Sequence, residues 1–183
     1  KDYKGETISF QLLDAQSVRY WSHQYYRILA EVTVPALGYT TVVLSEREAE
    51  TYPILLYRHR GERIGITYDD HILENDQVKA CIDNKSGRLV SLVDKMTGKE
   101  MIAHGKGAGF TYIETENNGM SAWTIGRHLK DTDVERCVEL KAQQSGKLRQ
   151  SVKAVYEIND SRIEVLYSLD KEANAVKMEV KID

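Results

Sequence analysis

Alternation of apolar and polar residues is clearest in the last third of the chain. Val152, Ala154, Tyr156 and Ile158 alternate with mostly polar neighbours, Asn159-Asp160-Ser161 interrupts, and Ile163, Val165, Tyr167 and Leu169 alternate again. A period of two, broken by turn-forming residues, predicts a β-hairpin. After Asp170 to Asn174, the apolar Val176, Met178, Val180 and Ile182 alternate with Lys177, Glu179 and Lys181. That pattern predicts a third strand with one buried and one wet face. No 3.6-residue period intervenes, so the succession predicts an antiparallel sheet.

The middle of the chain writes one turn twice. Asp83-Asn84-Lys85-Ser86-Gly87-Arg88 and Asp94-Lys95-Met96-Thr97-Gly98-Lys99 share an order of acid, polar or flexible residues, hydroxyl, glycine and base. Each glycine ends a polar turn, a position that commonly needs φ > 0, where glycine carries no Cβ penalty. The repeat predicts a meander of Val78 to Ile82, Leu89 to Val93 and Glu100 to Ala103. The first half is less regular. Glu6 to Leu13, Arg27 to Val34 and Thr40 to Leu44 read as strands. Ser45 to Glu50 is a charge run, read as a solvated linker or, from the capping-box spacing of Ser45 and Glu48, as one helical turn. The expected organisation is the end of a small β unit or a linker over residues 1–50, a connecting segment over 51–69, and the first part of a larger antiparallel β-sandwich over 70–183. The fold class is all-β.

Composition narrows the function classes. The 183 residues are 42% hydrophobic and 29% charged, with net charge −3, which favours a folded core over disorder. There is no long basic run, so nucleic acid is not an expected partner. No apolar run reaches the roughly 18 residues of a membrane span, so no membrane partner is expected. The first residues lack the apolar stretch of a signal peptide. Together with only two cysteines, Cys81 and Cys137, this points to a reducing, cytoplasmic compartment and free thiols on strands. The missing initiator Met and the end at Asp183, within an alternating run, suggest a piece of a longer protein.

Candidate chemistry is sparse. The five histidines (His23, His59, His71, His104 and His128) are well separated. Asp69-Asp70-His71 is the one dense group and reads as a polar loop, so no metal ligand set is assigned. Gly119-Met120-Ser121-Ala122-Trp123 lacks the last glycine of a nucleophile elbow. Gly105 to Gly109 precedes a strand rather than a helix, which suits a flexible loop better than a phosphate cradle. Glu114 and Glu116, two apart on a predicted strand, would lie roughly 7 Å apart, near the range of about 5–9.5 Å used by glycosidase carboxyl pairs. Two solvated acids fit the same spacing. The loop Glu116 to Trp123 is the most suggestive: the amides of Asn117 and Asn118 match sugar hydroxyls, and the indole of Trp123 can pack on a pyranose face. The alternative is a turn followed by a core tryptophan. Tyr20, Trp21, Tyr25 and Tyr26 also cluster, as core or interface aromatics.

Three segments carry a family resemblance. Arg27 to Thr40, with Val34-Pro35-Ala36-Leu37-Gly38-Tyr39 at its centre, resembles the segment that precedes the large β domain of glycoside hydrolase family 38 α-mannosidases. Leu73-Glu74-Asn75-Asp76 with Val78, then Asp83 to Leu92 and Asp94 to Glu100, resembles the G-x-L-x-S-L-x-D-K-x-T-G-x-E opening of that domain. Met120 to Gly126 resembles a segment of bacterial members. The resemblance spans roughly residues 20 to 130. It implies an all-β supersandwich of the galactose-mutarotase-like type, truncated on its C-terminal side. It also implies a parent enzyme that hydrolyses α-mannosides with retention. In that family a zinc ion and a nucleophilic aspartate lie in an N-terminal α/β domain whose ligand motif includes His-x-Asp. This sequence contains no His-x-Asp, so no catalytic or zinc residue is carried over. The implied partners are that catalytic domain and α-mannoside glycans, and the chain alone is expected to hydrolyse no mannoside. A different reading is an independent carbohydrate-binding β module. The scaffold reading predicts an apolar exposed patch, the module a mostly polar surface.

Overall fold

The computed structural model describes residues 1–14, 27–44, 71–103, 107–120 and 123–183. The strands are β1 (Phe10–Asp14), β2 (Arg27–Ala30), β3 (Ile72–Glu74), β4 (Val78–Ile82), β5 (Leu89–Asp94), β6 (Lys99–Glu100), β7 (Thr111–Thr115), β8 (His128–Asp133), β9 (Cys137–Ser145), β10 (Arg149–Ile158), β11 (Ser161–Asp170) and β12 (Lys177–Ile182). The described residues are all-β and antiparallel. The chain divides into two units, Lys1–Asp69 with Gln144–Arg149, and Asp70–Gln143 with Gln150–Asp183.

In the first unit β1 pairs with β2, Phe10 opposite Ala30, with a register shift between Leu12 and Asp14. The Gln11 carboxamide completes the turn at 146–149. Its oxygen accepts from the Leu148 and Arg149 N–H groups at 3.1 and 2.9 Å, and its nitrogen donates to the Arg149 carbonyl at 2.8 Å. One side chain thereby does for that turn what a neighbouring strand would do. Two expectations change here. The second strand stops at Ala30 rather than Val34, and Thr40 to Leu44 is not a strand. β-branched residues favour a strand only where a ladder partner exists; among the described residues the ladder of β2 ends with β1. Pro35 to Gly38 forms a turn, closed by Gly38 N–H to the Pro35 carbonyl at 3.0 Å. Leu37 stands in it at φ 56. The charge run 45–50 and the aromatic cluster of Tyr20, Trp21, Tyr25 and Tyr26 lie outside the described residues.

The second unit is a sandwich of two four-stranded sheets, ordered β3-β4-β5-β6 and β12-β11-β10-β9, with β7-β8 as a separate two-stranded ribbon. Its core draws Leu73, Val78, Ala80, Ile82 and Leu89 from the first sheet. Val152, Ala154, Tyr156, Ile163, Val165, Tyr167 and Leu169 come from the second. The alternation read for β10 and β11 is therefore the core-facing row. The third strand of that series differs from expectation: β12 forms, but all six of its residues are exposed.

The doubled turn is built as the repeat predicts. Asp83 Oδ2 accepts from the N–H groups of Lys85 and Ser86 at 3.1 and 2.7 Å and from Ser86 Oγ at 2.8 Å. Asp94 Oδ1 accepts from the Met96 N–H at 2.8 Å, and Asp94 Oδ2 from Thr97 Oγ1 at 2.8 Å. Those hydrogen bonds hold both carboxyls below their usual range. Gly87 and Gly98 sit at φ 66 and 69. The third strand of the meander is Lys99–Glu100 rather than Glu100 to Ala103, because the Glu100 side chain replaces further ladder bonds. Its carboxylate accepts from Ser91 Oγ, from the Leu92 N–H at 2.8 Å and from the Ile102 N–H at 2.9 Å. These bonds pull its pKa down to about 2.

The two glycines differ in surroundings. A methyl group on Gly87 would stand 2.7 Å from Cys137 Sγ, 2.9 Å from Tyr156 OH and 3.2 Å from Ala154 Cβ, whereas nothing lies within 4 Å of the same position on Gly98. Gly98→Ala is expected to cost about 1 kcal/mol, the left-handed backbone penalty alone. Gly87→Ala adds core overpacking and is expected to cost about 3 kcal/mol in all; urea denaturation of the two variants measures the difference. Glu100 contributes stability that is present above its unfolded pKa near 4.5 and lost as pH falls towards about 2. Glu100→Gln is expected to flatten the acid limb of the stability curve in that window, as read by urea midpoints across the pH series.

Candidate functional site

The ribbon β7–β8 is anchored at its base and free along its length. Ala108 N–H donates to the Leu89 carbonyl at 3.0 Å, and Val134 N–H to the Phe110 carbonyl at 2.9 Å. The Phe110 ring meets Tyr156 edge-on, centroids 5.7 Å apart. Val134 is buried, and Thr111 Oγ1 donates to Asp133 Oδ1 at 2.9 Å. The described part of the glycine-rich stretch 105–109 belongs to this base. Gly109 lies against the Arg88 guanidinium, and a methyl on Gly107 would stand 3.1 Å from the Leu89 carbonyl oxygen. Close approach to the start of β5 accounts for Gly107, and the Arg88 side chain packed against its backbone accounts for Gly109. Beyond the base every residue of both ribbon strands is exposed.

The strands deliver the loop that joins them. Glu116 N–H donates to the Arg127 carbonyl at 2.8 Å, and Gly126 packs so tightly on the Glu116 carbonyl that no Cβ fits there. Within the loop, Asn117 Oδ1 accepts from the Gly119 N–H at 2.9 Å, and Asn118 Oδ1 from the Met120 N–H at 3.1 Å. Gly119, at φ 74, makes the reversal. Asn118 Nδ2 donates to Thr124 Oγ1 at 2.8 Å. The Trp123 and Thr124 N–H groups both donate to the Met120 carbonyl, at 2.9 and 3.0 Å. The result is a hydrogen-bonded knot that presents Trp123 at 85% exposure, flanked by Met120 and Ile125 at 60% and 87%. The reading of Trp123 as a core tryptophan is thereby excluded.

Asn117, Asn118 and Trp123 thus come together on one loop with divided labour. The asparagine oxygens brace the backbone, as side chains of this type do in Asx-turns, and the indole is the open surface. Met120 and Ile125, which sequence reasoning left aside, enlarge that surface. Their signal was slight: exposed apolar residues next to a Gly turn look like any strand end. The acids Glu114 and Glu116 each face a cross-strand cation, Lys130 at 3.9 Å and Arg127 at 3.6 Å, and all four side chains are exposed. Exposed pairs of this kind contribute little. Ser121 lies outside the described residues, as do Asp69, Asp70, His23, His59 and His104. Of the described histidines, His71 stands before β3 and His128 pairs with Asp131. Among the described residues no three His, Cys, Asp or Glu side chains converge, so a zinc ion finds no ligand set among them.

Both cysteines are free and half-buried, Cys81 on β4 and Cys137 on β9. Burial raises the Cys137 thiol pKa, and the neighbouring Tyr156 and Tyr167 hydroxyls, wholly buried, are raised for the same reason. A thiol held protonated is a poor nucleophile.

Residues 73–183 match the model of the glycosyl hydrolases family 38 C-terminal domain. The chain belongs to glycosyl hydrolase family 38. No curated protein matches it. The match begins at Leu73 in β3 and covers the sandwich and the ribbon, so the exposed loop lies inside the family domain.

Removing the brace tests the knot. Asn118→Ala is expected to loosen residues 117–120 and 123–126 on the nanosecond timescale, lowering their backbone heteronuclear NOE values while leaving those of β10 and β11 unchanged. Unchanged loop values would show that Asn118 does not hold it.

Proposed function

We propose that this chain is the non-catalytic β region of a retaining, zinc-dependent α-mannosidase. In this reading it supports the catalytic domain of the parent enzyme, and its β7–β8 loop lends Trp123 to the sugar. The observation that carries the sugar contact is the 85%-exposed indole held by the Asn118–Thr124 knot. An aromatic face braced by hydrogen bonds, with amide and hydroxyl groups beside it, suits the apolar face and hydroxyl rim of a pyranose. The scaffold role is supported by family membership. It is supported further by the apolar side chains that the first unit shows to solvent, Leu37, Tyr39 and Leu44 among them, since such exposure marks surfaces that meet a partner. Zinc and the nucleophile belong, in this reading, to the catalytic domain. The two free thiols support a cytoplasmic setting.

A titration of the chain with α-linked mannobiose, followed through the indole N–H resonances, tests the contact. Saturable shifts of Trp123 and of the Asn117 and Asn118 amides are expected in the millimolar range, and Trp123→Ala is expected to abolish them. A flat titration on a folded spectrum would remove the sugar contact from this loop and leave the supporting role.

A further inference from the structure

The loop that presents Trp123 contains the one Asn-Gly pair in the chain, Asn118-Gly119. In such a pair the side-chain amide is open to attack by the backbone, because the glycine brings no Cβ to crowd its own nitrogen. The fold draws the two reacting groups together. Asn118 Oδ1 accepts from the Met120 N–H at 3.1 Å, which closes an Asx-turn. Closing that turn folds the carboxamide back over the peptide that follows it and brings its carbonyl carbon towards the Gly119 nitrogen. The same hydrogen bond aims a donor at the oxygen on which negative charge develops when the nitrogen adds. Asn117, Asn118 and Gly119 are all exposed, and a methyl group on Gly119 would meet nothing within 4 Å.

One contact opposes the reaction. The Gly119 N–H donates to Asn117 Oδ1 at 2.9 Å. The nucleophile is the deprotonated nitrogen, and a hydrogen bond to a neutral carbonyl oxygen holds the proton on it. Asn75 provides the contrast. Its Oδ1 accepts from the Gln77 and Val78 N–H groups at 2.9 and 2.8 Å, so it closes the same kind of turn. Asp76 follows it, however, and its amide is pinned by the Asp170 and Ala173 carbonyls. The turn is shared; the glycine is not.

We propose that Asn118 is a self-modification site that converts to isoaspartate, with Asn117 as its brake, and that the conversion is a one-way switch undoing the Trp123 knot. The Gly119 nitrogen bonds to Asn118 Cγ, the Cγ–Nδ2 bond breaks, and Nδ2 leaves as ammonia with the proton that the Gly119 nitrogen gives up. The resulting succinimide takes up one solvent water. Opening at Cγ restores the main chain with an aspartyl side chain. Opening at the Asn118 backbone carbonyl carbon gives the isoaspartyl form, whose main chain runs through the former side chain. The aspartyl form keeps an oxygen for the Met120 N–H, and the Thr124 hydroxyl can donate where it now accepts from Nδ2. The isoaspartyl form adds a methylene to the main chain, and the turn no longer closes.

Ageing the chain in mildly alkaline buffer, without sugar, and mapping its peptides by mass spectrometry tests the site. Exchange of amide for acid adds about one mass unit, and electron-transfer fragmentation tells the two acids apart. Asn118 is expected to convert ahead of the chain's other asparagines, mainly to isoaspartate. A second indole N–H signal for Trp123 is expected to grow in at the same rate. Gly119→Ala is expected to slow the conversion at least about ten-fold by displacing the attacking geometry. Asn117→Ala, which frees the Gly119 N–H, is expected to speed it about five-fold. The parent chain answers by itself, free of any folding defect in the variants. An intact Asn118 while another asparagine converts would overturn the proposal. So would a purely aspartyl product, which direct hydrolysis without the ring would give. An unchanged rate in Asn117→Ala would remove the brake.

Discussion

The sandwich depends on a missing methyl group. The β4–β5 turn has to lie on the floor made by Cys137, Ala154 and Tyr156, and it can do so only because Gly87 offers no side chain there. That close approach brings Leu89 into the core beside Tyr156 and Tyr167 and sets the start of β5. Everything downstream inherits the placement. Ala108 pairs with Leu89, Phe110 then meets Tyr156, and the ribbon leaves from this point. One glycine in the left-handed region thus fixes both the contact between sheets and the origin of the arm that carries the exposed tryptophan.

The segment that signals the family turns out to be a set of joints of this kind. Leu73 is core. Asn75 holds its own turn by accepting from the Gln77 and Val78 N–H groups, and its amide donates to the Asp170 and Ala173 carbonyls, both at 2.8 Å, across to the other sheet. Glu74 is bracketed by Lys95 and Lys79. Ser91 and Glu100 lock β5 to β6, while Asp94, Thr97 and Gly98 make the reversal between them. Leu73, Glu74, Asn75, Ser91, Asp94, Thr97, Gly98 and Glu100 of the signature are thus engaged in packing, turns and strand joints. The pattern is recognisable because each position answers a local demand of hydrogen bonding or backbone geometry, and such demands tolerate few residue types.

The same reasoning explains which parts of the fold were legible in the sequence. β10 and β11 could be read because the row facing the core keeps a period of two, even though Ser151, Val155 and Ser168 on the opposite face are buried as well, and the doubled turn because its acid, hydroxyl and glycine have fixed jobs. Thr40 to Leu44 misled because propensity is a local quantity and a strand needs a ladder, whereas here one residue, Val43, exchanges backbone hydrogen bonds with Lys1. β12 misled more instructively. Its alternation correctly gave two faces, but periodicity says which residues share a face and not what lies over it. Trp123 posed the same problem in reverse: an indole beside a turn reads equally as core or surface, and only the Asn118–Thr124 hydrogen bond settles its presentation. Gln11, whose side chain stands in for a strand neighbour, gave no signal, since an amide on a strand is ordinary; Glu100 was visible only as the last residue of the family signature, not as the group that replaces ladder bonds.

Two kinds of surface therefore remain after the core has been accounted for, and they differ physically. On the ribbon loop the exposed groups are mixed: an indole, a thioether and an aliphatic chain on a knot of amides and hydroxyls. A mixed surface on a rigid support favours a ligand that is itself amphipathic and small, because little ordering entropy remains to be lost on binding. On β12 the exposed groups are sorted, apolar on one face and alternating charge on the other. Neither surface uses the residues that hold the sheets together, so the sandwich core that carries the family match is separate from both.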